Sequence, residues 1–114
     1  MELKKMSDHY FATGQITEED LTEIKTSGIK TIFCFRPIDE DGTNQPSQNL
    51  LKEVAKKLDI NFISIPVIPG NITKENIDQF NKEFNNCNLP ALGFCRGGGR
   101  AQSIYDAYQA SNHK

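Results

Sequence analysis

"PALGFCRGGGRAQSIYDAYQAS", residues 90–111, decides how this chain folds. An apolar run ends in Cys95, three glycines follow between two arginines, and the remainder reads as a helix. A strand that turns directly into a helix belongs to the βα repeat of parallel sheets, and the same alternation recurs on working outward. "HYFATG", residues 9–14, reads as a short strand ending at Gly14. A helix then starts at Thr17, with acidic residues in its first turn and Ile16 and Leu21 placed as a hydrophobic staple; Ser27-Gly28 ends it. "KTIFCFRP", residues 30–37, is a nearly continuous apolar run stopped by proline, as in a strand covered on both faces. From Ser47 to Leu58, Leu50, Leu51, Val54, Ala55 and Leu58 keep helical spacing. "INFISIPV", residues 60–67, is a second β-branched run. Thr73 starts a third helix with Ile77, Phe80 and Phe84 on one face, and the last helix is expected near Ala101. The pattern predicts an α/β fold, a mostly parallel central sheet of four or five strands flanked by helices, with residues 1–114 as a single domain.

A formal net charge of −2 argues against non-specific nucleic-acid binding. "MELKKMSDHYFATG" has no apolar run behind its charged start, so it does not read as a signal peptide. No stretch approaches the length needed to span a bilayer, so no membrane association is expected. Cys34, Cys87 and Cys95 are an odd number at irregular spacing, which predicts free thiols in a reducing compartment, most simply the cytoplasm. His9 and His113 are not spaced as metal ligands, and no metal or cofactor is expected.

In open α/β sheets, ligands bind outside the carboxyl ends of the strands. Cys95 lies at such an end, and so does Arg36; Arg96 and Arg100 are in the glycine loop. These are the only arginines of the chain, and the ten lysines are scattered, so the carboxyl edge is expected to form a local cationic pocket. Gly97, Gly98 and Gly99 let the backbone curl with its N–H groups inward, as a nest that binds anions. The positive end of the following helix points at the same place, and a thiolate there is favoured over the thiol. Such a thiolate can attack an electrophilic atom carried on an oxyanion. Cys34 reads as core, or as a resolving thiol if its strand lies beside the last one. Cys87 reads as incidental, and Asp39, Glu40 and Asp41 as a solvated loop from which one acid could swing into the site.

From about Phe11 to Ala107, the pieces "TGQITEEDL", "GIKTIFCFRP", "QP", "ISIPVIPGNITKENIDQF" and "CRGGGRA" carry a resemblance. The chain resembles the bacterial phosphatase-like domain family that occurs alone or fused to metallo-β-lactamase-fold hydrolases or persulfide dioxygenases. The resemblance implies a fold like that of the dual-specificity cysteine phosphatases, with the cysteine loop at the carboxyl edge. It differs from those phosphatases in detail. Phe94 rather than histidine precedes Cys95, four residues rather than five separate Cys95 from Arg100, and Ala101 replaces the usual serine. Gly99 stands where the family more often has a side chain, and "IPGNIT" has no carboxylate before Asn71, where those enzymes carry a general acid.

The shorter spacing is that of rhodanese sulfurtransferases, and sulfite leaves without the protonation that an ester oxygen usually needs. These features favour a sulfurtransferase that moves sulfane sulfur from thiosulfate or a persulfide through a Cys95 persulfide. A cysteine-dependent phosphatase working through a Cys95 phosphoenzyme is the alternative, and a non-catalytic anion or persulfide sensor a third reading. In either enzyme Cys95 is the nucleophile and Arg100 clamps the anion. The N–H groups of Arg96, Gly97, Gly98 and Gly99 cradle it, and Arg36 and Arg96 add field. Gln15 is a further lining candidate. The expected partner is a small oxyanion or persulfide, with a separate persulfide dioxygenase as a possible companion.

Overall fold

The computed structural model describes residues 2–38, 40–42 and 45–112. Its elements are β1 (Lys4–Lys5), β2 (Tyr10–Thr13), α1 (Glu18–Thr26), β3 (Thr31–Cys34), α2 (Gln48–Lys57), β4 (Asn61–Ser64), α3 (Lys74–Asn86), β5 (Ala91–Phe94) and α4 (Gly99–Asn112). The strands form one five-stranded sheet in the order β1-β2-β5-β3-β4. Strands β2, β5, β3 and β4 are parallel, and only β1 runs antiparallel, against β2. The α/β expectation holds, with five strands.

The parallel ladder continues beyond the short strands. Phe35 N–H donates to Phe94 O, Ile65 N–H to Cys34 O and Val67 N–H to Phe35 O, at 2.9–3.0 Å. The carboxyl ends of four strands therefore deliver the loops at residues 14–17, 35–47, 65–73 and 95–98 to one edge. Two side-chain caps set the entry of the helices as expected. Thr17 and Asp20 form a capping box for α1, and Thr73 and Asn76 form one for α3.

Three details depart from the sequence reading. The two-residue β1 was not foreseen, because two exposed lysines carry no apolar alternation; lysines on a sheet edge oppose further pairing. Helix α4 starts at Gly99 rather than Ala101, so Arg100 sits in its first turn. Leu50 keeps helical spacing in α2 yet is 40% exposed, while Leu51 and Ala55 form the buried stripe.

The two sheet faces are packed separately. Helices α1 and α2 cover Ile32, Cys34, Leu92 and Phe94. Helices α3 and α4 cover Tyr10, Phe33, Phe35, Ala91 and Cys95. In this second layer Tyr10 stacks on Tyr105 at 4.6 Å between centroids and meets Phe80 edge-on at 5.7 Å. Gly93 is required here: a Cβ would lie 2.0 Å from the Tyr10 hydroxyl, which donates to Ala101 O at 2.8 Å and tethers the first turn of α4. Among the described residues, no helix is long and apolar enough to cross a membrane.

Candidate active site

Cys95 follows the last residue of the central strand β5 and is 1% exposed. The loop after it folds back over the sulfur, and Gly98 N–H donates to Cys95 Sγ at 3.1 Å. Of the three loop glycines only Gly98 has positive φ, +95°, the conformation that turns its amide inward. The first helical bond of α4 runs from Gln102 N–H to Gly98 O. The preceding amides of the first turn, without partners inside the helix, face the loop. The neighbouring loop buttresses the glycines. Gln15 N–H donates to Arg96 O at 3.2 Å, and a Cβ on Gly14 would come within 3.1 Å of that oxygen.

The three arginines gather at this edge, in three different roles. Arg100 is 9% exposed on its side chain. Its Nη1 donates to Glu40 Oε1 at 2.6 Å and to Val67 O at 2.8 Å, and its Nη2 to Glu40 Oε2 at 3.0 Å. A guanidinium has five N–H donors in a rigid fork. With the Nη1/Nη2 edge bonded to Glu40, the Nε edge has no bond to any described residue, and Arg100 lines the cavity above Cys95. Arg36 does not line that cavity. It is 2% exposed and donates to Glu40 at 2.6 Å, Gln15 Oε1 at 2.6 Å and Asp41 at 2.8 Å. Burial raises the cost of its charge, and these carboxylates more than offset that cost, so its acidity is weaker than usual. Arg96 is 69% exposed and pairs with Asp41 at 3.3 Å.

Glu40 was read as part of a solvated loop or as a swinging acid. In the structure it is a clamp between two guanidiniums. The hydrogen bond from Arg100 holds its carboxyl below the ordinary 4.5, against the opposing effect of burial, with Arg36 adding to the lowering. The expected cationic pocket is thus a network of three arginines balanced by two carboxylates. The spacing Arg36–Glu40 was visible in the sequence, but nothing there brought Arg100 to the same carboxylate. Gln48, which donates to Arg36 O at 2.6 Å and closes the network, was missed for the same reason. Asp39 lies outside the described residues.

Cys34 lies in β3 beside β5, in register with Phe94. Its side chain belongs to the α1/α2 layer, whereas Cys95 belongs to the α3/α4 layer. Burial pushes the Cys34 thiol up to about 11. A protonated thiol on the opposite face does not serve as a resolving partner. Cys87 is half-buried at the end of α3.

The cavity over Cys95 has a volume of about 550 Å³ and is lined by Pro69, Gly70, Ile72, Cys95, Gly97, Gly99, Arg100 and Ser103. Gly97 and Gly99 have open space where a Cβ would lie, so the floor of the cavity is backbone. One cavity is thus lined by a thiol that accepts a backbone N–H, by glycine backbone and by a guanidinium, groups of the kind that bind and attack a tetrahedral oxyanion.

Fold and site together define a cysteine-phosphatase-like domain. Residues 2–112 match the family model for the phosphatase-like domain of beta-lactamase hydrolase-like proteins, and the chain belongs to that family. The beta-lactamase hydrolase-like protein of Agrobacterium fabrum is 27% identical over 105 residues, which are 92% of this chain and 24% of that protein. The chain therefore spans about a quarter of that relative's length. A candidate phosphatase from Neisseria meningitidis superposes with a TM-score of 0.85 at 28% identity, covering 96% of this chain and 78% of that one. The kinase associated phosphatase, solved with its catalytic-site cysteine replaced by serine, shares the fold at a TM-score of 0.70 and 18% identity, over 90% of this chain and 64% of that one. These likenesses favour the phosphatase alternative over the sulfur transfer that the four-residue spacing suggested. In this structure α4 begins early, at Gly99. Because the helix begins at Gly99, the shorter loop still turns the Gly98 amide onto the sulfur and still lines the cavity with Arg100.

Proposed function

We propose that this domain is a cysteine-dependent phosphatase that hydrolyses phosphate monoesters. Cys95 attacks phosphorus as the thiolate, the phosphorus–oxygen bond to the ester group breaks with its electron pair on the departing oxygen, and a phosphocysteine forms. The loop amides from Arg96 to Gly99 and the open Nε edge of Arg100 hold the equatorial oxygens, whose charge they balance in the transition state. Water then attacks the phosphocysteine and releases inorganic phosphate. The observation that carries this reading is the bonding of the Arg100 fork: Glu40 takes its Nη1/Nη2 edge and Val67 O takes Nη1, while Nε has no bond to a described residue and Arg100 lines the cavity together with Cys95. Membership of a phosphatase-like family supports it. Glu40 and Arg36 act through Arg100 and not on the substrate, and Arg96 supplies a screened surface charge.

Phosphate release from an aryl phosphate tests the proposal. The full chain is expected to turn over para-nitrophenyl phosphate. Cys95→Ser should abolish release, and Arg100→Lys should lower it by about a hundredfold or more, because lysine offers no bidentate fork. The decisive control is the intact mass after incubation with thiosulfate. A stable gain of one sulfur atom on Cys95, without phosphate release from any ester, would return the assignment to sulfur transfer.

A further inference from the structure

The wall of the cavity opposite the glycine loop is built by the chain after β4. Ile68-Pro69-Gly70-Asn71 forms a tight turn in which Asn71 N–H donates to Ile68 O at 3.0 Å and Gly70 has φ +75°. Proline at the second position and a positive-φ glycine at the third are what a type II turn requires. The turn sets Pro69, Gly70 and, just beyond, Ile72 against the cavity, with Ser103 of α4 nearby. Among the described residues, none that lines the cavity is a carboxylate, histidine, lysine or tyrosine. The described carboxylates of this edge are engaged by the arginines. Glu40 accepts from Arg36 and Arg100, and Asp41 accepts from Arg36 and Arg96. Protonating Glu40 would break its pairs, and the hydrogen bond from Arg100, with Arg36 adding to it, holds its carboxyl below the ordinary range. Among the described residues, the side of the site that faces a departing group is therefore neutral, largely apolar and without a proton donor matched to an ester oxygen.

Resting on the phosphatase reading, we propose that the site is specific for phosphate compounds whose leaving group departs unprotonated: aryl esters, acyl phosphates and phosphoric anhydrides, as against alkyl esters. The Cys95 sulfur forms a bond to phosphorus as the phosphorus–oxygen bond breaks. Its electron pair stays on the leaving oxygen, which departs as an anion and takes up a proton, if at all, from bulk water. Water then cleaves the sulfur–phosphorus bond, restores the thiolate and yields dihydrogen phosphate. The apolar Pro69–Ile72 wall packs against the organic part of an aryl ester, and its geometry is fixed by the turn and by Asn76 Nδ2, which bonds Pro66 O at 3.2 Å.

The test is the dependence of kcat/KM on leaving-group acidity for the full chain. The substrates are a series of substituted phenyl phosphates, acetyl phosphate and ethyl phosphate. With full charge developing on the leaving oxygen, kcat/KM is expected to fall by about tenfold per unit of leaving-group pKa. Acetyl phosphate should be turned over, and ethyl phosphate should be inert. No descending limb should appear at alkaline pH before the phenyl phosphates themselves change. A shallow series, with ethyl phosphate within tenfold of phenyl phosphate, overturns the inference while leaving the phosphatase intact. An alkaline limb that disappears in Asp39→Asn would overturn it too, by revealing a general acid of the usual strength, about 10²–10⁴-fold. No Cys95-dependent release from any substrate, the most activated included, would overturn both readings.

Discussion

Glu40 holds two guanidinium groups with one carboxylate, and Arg36 beneath it is buried and bonded on every side. An arginine side chain has several rotors, and its fork is useful only when those rotors are fixed. Glu40 fixes Arg100. In Glu40→Gln one acceptor oxygen remains, but the charge is gone and the amide brings donors that face guanidinium donors. Hydrogen bonds to charged groups contribute roughly 1.5–3 kcal/mol. Glu40→Gln is therefore expected to lower kcat/KM for an aryl phosphate by about tenfold or more, with Cys95 still open to alkylation. Steady-state kinetics beside a thiol-labelling control checks this. Equal loss of both would mean that Glu40 only keeps the domain folded.

At the scale of elements, the decisive piece is the turn from β5 into α4. Its sulfur contact depends on Gly98, whose φ of +95° is uncommon for a residue with a side chain. An alanine would find only ordinary contacts there, the nearest at 3.4 Å to the carbonyl carbon of Thr13. The cost of Gly98→Ala is thus conformational, about 1–2 kcal/mol. The midpoint of urea unfolding should drop accordingly. The loop should also relax toward negative φ, draw its N–H off the sulfur, and slow Cys95 alkylation at fixed pH. Unchanged alkylation would show that this amide contact does not govern the reactivity of the sulfur.

Across the whole molecule, the Arg36–Glu40–Arg100 network ties the loops after β2, β3 and β5 together, and Val67 O joins the loop after β4 through Arg100. Its charge state should therefore appear in global stability. The Glu40 pKa is lowered in the folded protein, so its contribution is fully present above the ordinary 4.5 and is lost as pH falls through the lower folded value. Unfolding followed from neutral pH to about pH 3 should show the wild type losing stability through that window. Glu40→Gln should start lower and lose less, so the two curves converge at acid pH. Parallel curves would mean that the pair contributes nothing net.

Much of this was legible in the residues. Alternating apolar runs and capped helices required a parallel sheet, and Cys95 before three glycines at a strand end marked the edge that carries the cavity, because backbone periodicity and glycine conformation are local properties. The hydroxyl of Tyr10 crossing Gly93, the separate packing layers of Cys34 and Cys95, and the division of Arg100 between Glu40 and the cavity were not legible. They depend on which strands became neighbours and on which side chains met across 60 or more residues of sequence, as Glu40 and Arg100 do. The sequence by itself determined the strand–loop–helix that puts Cys95 at the carboxyl edge of the sheet. Only the tertiary structure decided that its carboxylates serve as clamps for the arginines, because long-range packing rather than local pattern chooses the partner of a buried charge.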